Sequence, residues 1–195
     1  MNSIDKFLES LKSICDPNFI KLNKPVKEKD FQNLQKKLGL EILPDFKELY
    51  SKFNGEHFQS IGIIGNWKFL EIKHVIREWE LMLSILKKEE VNNQTKLKSD
   101  FIKNNWWDQA WIPIVSSGSG HLICIDMDPA KKGKKGQVIL FLHDEEKRYL
   151  IANSISDWLG AISEDLQKGK YKITGKKFSN PAFLGSSMEG KKLFK

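Results

Sequence analysis

Residues 111–152 run WIPIVSSGSG HLICIDMDPA KKGKKGQVIL FLHDEEKRYL IA, and within them lie four short β-compatible runs, at 111–115, 122–125, 138–142 and 149–151. The pieces between them are rich in Ser, Gly, Asp, Pro and Lys, residue types that turn a chain rather than extend it. Successive strands joined by short connections predict an antiparallel meander. In a meander alternate connections share an end of the sheet. The turns at 116–121 and 143–147 are therefore expected together, with the 127–137 loop at the opposite end.

Outward from this sheet the period changes. Ile4, Phe7, Leu8, Leu11 and Ile14 form a helical stripe with Ser3 as N-cap, stopped by Asp16-Pro17-Asn18. Pro25 to Asp30 opens a second helix bearing Phe31, Leu34 and Leu38, ended by Gly39. Leu43-Pro44 starts a third, with Phe46, Leu49, Tyr50 and Phe53 inward and Asn54-Gly55 as its close. Ile61, Ile63-Ile64 and Trp67 to Leu70 read as short strands. Ile72, Val75, Ile76, Trp79, Met82, Leu83 and Leu86 then predict the longest helix, ending near Lys88 and followed by a polar surface loop over 89–105. After the sheet, Ser154 or Ser156 caps a last helix carrying Ile155, Trp158, Leu159, Ile162 and Leu166. The expected class is α+β, an antiparallel meander sheet flanked by helices. The expected division is a helix and linker over 1–25, a domain over 26–171 and a flexible basic tail over 172–195.

The chain has 195 residues, 40% of them apolar and 29% charged, enough for a core that hides roughly 70% of the unfolded surface. No uncharged apolar run approaches the roughly 20 residues that cross a bilayer. The first residues lack a basic stretch followed by an apolar one, so no secretory signal is expected, and with no spanning run no membrane partner is expected either. Cys15 and Cys124 exclude a disulfide scaffold, and a reduced, cytoplasmic setting is the simplest expectation. The net charge is +7, and residues 168–195 hold all of it, with eight lysines against Glu189 alone. The body is neutral. Only two arginines, Arg77 and Arg148, occur, and neither lies in that tail. A nucleic-acid partner is therefore expected at most as weak, salt-sensitive attraction through the tail, which otherwise serves as a solvated end.

Ser117-Gly118-Ser119-Gly120 precedes a strand rather than a helix and has no P-loop lysine, so it reads as a hairpin turn and not a phosphate cradle. Asp126 and Asp128 point to one side of an extended segment, but Asp128 before Pro129 reads as a turn former. His57, His74, His121 and His143 are scattered, and no nucleophile motif accompanies them. Burial would make Cys124 inert. Neither catalytic residues, a metal site nor a cofactor are expected. Trp106 and Trp107 are adjacent, so in an extended segment at most one points fully inward; a core or boundary role is favoured, with a surface anchor as the other reading. The candidate partner-binding residues are Trp106, Trp107, Ser117, Ser119, His121 and Asp144.

The order Leu43-Pro44, Asn54-Gly55, Trp111-Ile112-Pro113-Ile114, Gly118-Ser119-Gly120, Cys124 to Pro129, Gly136-Gln137-Val138, His143-Asp144, Ile151 to Ser154 and Trp158-Leu159 resembles the SUKH superfamily, over Val26 to Tyr171. That superfamily contains the fungal cell-wall assembly regulator and bacterial toxin-immunity proteins. The resemblance implies an α+β fold, no catalytic residues and a protein partner. The expected partner is a cognate toxin domain neutralised by direct binding; the alternative is an intracellular scaffold of the cell-wall regulator type. His121 stands where the family often has an acidic residue, and the neutral body departs from the acidic face expected of a nuclease inhibitor. The oligomeric state is left open.

Overall fold

The computed structural model describes residues 2–15, 20–65, 67–88 and 99–170, together with the backbone of 172–174 and 177–179. Three helices come first: α1 (Ser3–Ile14), α2 (Glu28–Leu38) and α3 (Pro44–Lys52). A two-residue strand, β1 (Lys68–Phe69), leads into the long α4 (Ile72–Lys88). The meander follows as β2 (Trp111–Ser116), β3 (Leu122–Asp126), β4 (Gln137–Phe141) and β5 (Arg148–Ala152), and α5 (Ile155–Gln167) closes the body. All neighbours in the sheet order β1-β2-β3-β4-β5 are antiparallel. The α+β meander expected from the sequence is therefore present, extended by β1 at one edge. A separate hairpin, β6 (Lys172–Thr174) with β7 (Lys177–Ser179), lies in the segment expected as a flexible tail; the rest of that segment falls outside the described residues, as do Asp16-Pro17-Asn18 and residues 89–98 of the polar loop.

The central strands are apolar at nearly every position because both faces of the sheet are covered. On one face Ile112, Ile114, Ile123, Ile125, Val138, Leu140 and Ile151 share a core with α1, α3 and α5. Phe69 joins Phe7, Phe53 and Trp158 there. On the other, Trp111, Leu122, Cys124, Ile139, Phe141 and Leu150 pack with Met82 of α4 and with Ile102 and Trp107. Both cysteines are free and buried; burial pushes the Cys15 thiol up to about 11 and the Cys124 thiol well above its usual value, which makes both inert at neutral pH.

The helix ends follow their sequence signals with one shift. Asn2, rather than Ser3, caps α1, its side chain accepting from the Asp5 N–H at 2.8 Å. Ser154 is the serine that caps α5. Gly55 has φ +66°, and a Cβ there would lie 2.4 Å from the Leu70 carbonyl carbon, so the chain passes the segment just after β1 at a distance only glycine permits. Next to it the buried Glu56 accepts from the Ile63 and Phe69 N–H groups and the Ser60 hydroxyl. Burial raises its carboxyl above the usual range, and these donors oppose the rise. It fastens β1 to the loop before it.

Candidate functional site

The β2–β3 and β4–β5 turns do fall at one end of the sheet. Pairing of Leu122 with both Ser116 and Phe141 fixes this, because the residues just beyond each pair must then be neighbours. The first turn is shaped by its serines. Ser117 Oγ accepts from the Ser119 N–H at 3.1 Å and the His121 N–H at 3.2 Å, and lies 2.9 Å from Ser119 Oγ. Gly118 and Gly120, at φ +79° and +97°, supply the left-handed positions.

His121, half-buried, meets exposed His143 across the two turns, with their Nδ1 atoms 3.3 Å apart. Asp144 Oδ1 lies 3.7 Å from the same nitrogen of His121. The Trp67 ring stacks on His121 at 5.9 Å between centroids and 16° between planes. Trp67 arrives there through register: Lys68 pairs with Ser116, so residue 67 stands beside the first turn.

The second turn is held from beneath by Arg148. Its guanidinium donates to the carbonyls of Leu142, Glu145 and Lys147, and to Trp106 through Nε and Nη2. The cation lies 4.4 Å from the centre of the Phe141 ring. Burial lowers its pKa to about 10, which leaves it charged at neutral pH.

Of the candidate residues, Ser117, Ser119, His121 and Asp144 come together at this end. Trp106 lies behind it, half-buried, edge-on to Phe141. Trp107 is 0% exposed, wedged edge-on against Trp111 and Phe141, and presents no surface to a partner. Trp107 is inward and Trp106 half-buried, in a segment that bends rather than runs extended, and the aromatic ring at the turns belongs to Trp67. Sequence reasoning missed Trp67, His143 and Arg148 as members of this group. Their juxtaposition depends on strand register, and a two-residue β1 leaves almost no periodic signal from which to read it.

At the other end, Lys132 pairs with Asp100 at 2.6 Å and Lys135 with Glu41 at 2.9 Å, so two lysines of the 131–135 loop are paired with acids. Asp126 and Asp128 do not form a cation site. Asp126 is buried and accepts from Gln137 Nε2 and the Asp128 N–H, while the Asp128 carboxylate pairs with Lys103. Among the described residues no helix is long and apolar enough to cross a membrane.

Comparison with known proteins agrees with this architecture. A glucan synthesis regulatory protein of Neurospora crassa is 33% identical over 85 residues, covering 44% of this chain and 16% of that protein. The cell wall biosynthesis/cell cycle regulator smi1 of Schizosaccharomyces pombe is 25% identical over 158 residues, 74% of this chain and 31% of that protein. The cell wall assembly regulator SMI1 of Saccharomyces cerevisiae is 26% identical over 81 residues, 42% and 16% respectively. The chain thus spans less than a third of the length of these curated relatives. Residues 25–161, most of the chain and nearly all of the meander with its flanking helices, match the SMI1 / KNR4 family (SUKH-1), and the chain belongs to that family.

Proposed function

We propose that this chain is a non-enzymatic protein-binding module acting as a scaffold or regulatory interaction domain, with the end of the sheet that carries Trp67, Ser119, His121, His143 and Asp144 as its partner surface. The observation that carries the reading is the match of residues 25–161 to a family whose similar members here are named as regulators of wall assembly and glucan synthesis. Those names favour the regulatory reading over neutralisation of a toxin. The surface fits the role: two adjacent turns offer polar groups of both hydrogen-bonding senses around one half-buried aromatic ring, the composition of a small recognition patch.

A photo-crosslinking residue at Ser119, in the chain expressed in its native cell, is expected to yield a defined adduct with one protein. The same probe at Lys36 on α2 should not yield it. A partner of the wall-synthesis or signalling machinery supports the regulatory role, and a toxin domain would replace it with immunity. An adduct formed only from Lys36 would move the interface away from the turns.

A further inference from the structure

We propose that His121, His143 and Asp144 form a binding site for a divalent cation of the zinc class. One nitrogen from each imidazole and one carboxylate oxygen all lie within 4.8 Å of one another, and among the described residues this is the one group of three His, Cys, Asp or Glu side chains so placed. The separations match what such a cation requires. Zinc holds imidazole nitrogen and carboxylate oxygen at roughly 2.0–2.2 Å in tetrahedral geometry, which places neighbouring donor atoms roughly 3.3–3.5 Å apart. The two Nδ1 atoms are 3.3 Å apart and the Asp144 oxygen is 3.7 Å from His121 Nδ1. Two of the three donor separations therefore already stand close to the edges of a zinc tetrahedron, and the third is at most 4.8 Å.

The rings are held in that arrangement from several sides. Trp67 stacks on His121 and fixes its plane. Gly120 supplies the space for His143: a Cβ at residue 120 would lie 3.1 Å from His143 Nδ1. Arg148 binds the carbonyls of Leu142, Glu145 and Lys147, which bracket His143 and Asp144 in the chain. The ligand-bearing turn is thus pinned at both ends. Without a cation, one ring must carry its Nδ1 hydrogen for the contact between the histidines to be a hydrogen bond. A cation takes its place by accepting a lone pair from each ring.

The donor chemistry selects the ion. Two imidazoles and one carboxylate suit zinc, nickel or copper, whereas calcium and magnesium demand mostly oxygen ligands in larger number. Three protein ligands leave a coordination position open to solvent. Cation binding here does not require the turns to be a protein interface.

The test is calorimetric titration of the tag-free full chain, stripped with chelator and dialysed, with zinc chloride near neutral pH. One saturable zinc equivalent is expected, with no response to magnesium or calcium. Asp144→Asn should weaken binding at least tenfold, on the order of the losses seen when the groups supporting a metal site are removed. His121→Ala with His143→Ala should abolish it. Gly120→Ala, which removes no ligand, should weaken it by displacing His143. Circular dichroism melts check that each variant is folded, and zinc should raise the melting temperature of the parent but not of the double variant. Absence of saturable uptake by the parent would overturn the proposal. So would an unchanged stoichiometry in the folded double variant, which would place the ion elsewhere.

Discussion

Arg148 is folded under the β4–β5 turn, with its charge buried beside four backbone carbonyls and one aromatic face. Arg148 is 5% exposed, so its bonds to these carbonyls are made largely away from water and removing the donor forfeits them. Arg148→Met is expected to lower stability by about 2–3 kcal/mol, read from urea melts. Arg148→Lys should recover only part, since an ammonium cannot fork across both Trp106 and the turn. A fully stable Met variant would mean that water serves those carbonyls. Asp126 gives a second test at this scale. Burial lifts its carboxyl to about 6, with Asp108 and Asp128 adding to the rise and donation from Gln137 and the Asp128 N–H opposing it. The folded chain then keeps a proton that the unfolded chain releases. Over roughly pH 4 to 6 the Asp126 contribution must therefore fall as pH rises, by up to about 1.4 kcal/mol per unit, and then level off. Asp126→Asn is neutral throughout but sets its amide against Gln137 Nε2. The stability lead of the parent over this variant should thus be largest in acid and shrink toward neutrality. A lead that does not change with pH would show that Asp126 titrates normally.

At the scale of elements, β2 is the strand on which both layers depend. Trp111 packs against Trp107 and Phe141 on one face, while Ile112 and Ile114 enter the other core. Trp111→Ala is expected to cost about 3–5 kcal/mol through lost burial and the cavity left behind, measured as a lowered denaturation midpoint. A variant that melts like the parent would place Trp111 at the surface and break the register. The strands of the meander were legible because they are short apolar runs cut by glycine and serine, and the helices because Phe31, Leu34 and Leu38 or Phe46, Leu49 and Tyr50 recur at helical spacing. The site was legible only in part. The two turns could be assigned to one end by counting connections, which brought Ser117, Ser119, His121 and Asp144 together. Trp67 could not be placed, because β1 has two residues and its partner is set by pairing rather than by pattern. Nor could the contact between His121 and His143, 22 residues apart, which exists only once Leu122 is paired with Phe141.

Across the whole molecule the two ends of the chain differ in what they hold up. The matched family segment begins at residue 25, yet α1 lies in the core: Ile4 and Phe7 are 0% exposed and share a cluster with Trp158, Leu159 and Ile162 of α5. Ser10 also meets Ser163 at 2.8 Å and Gln167 at 3.2 Å. Removing residues 1–20 would strip that face of α5, and a chain starting at residue 21 is expected to lose its cooperative transition. At the other end α5 is completed within itself. The Lys168 N–H returns to the Glu164 carbonyl, and Lys168 and Lys170 pair with Glu164 and Asp165. We therefore expect a chain ending at Lys170 to melt within about 2 °C of the parent, less than the shift that a 1 kcal/mol loss produces at this size. The same truncation removes six lysines against Glu189, while residues 1–167 are neutral. Salt-sensitive retention of the parent on a heparin column should accordingly be lost in the truncated chain. Broadened melting on removal of 171–195, or retention that survives it, would show that the body depends on this segment for packing or carries a basic face of its own.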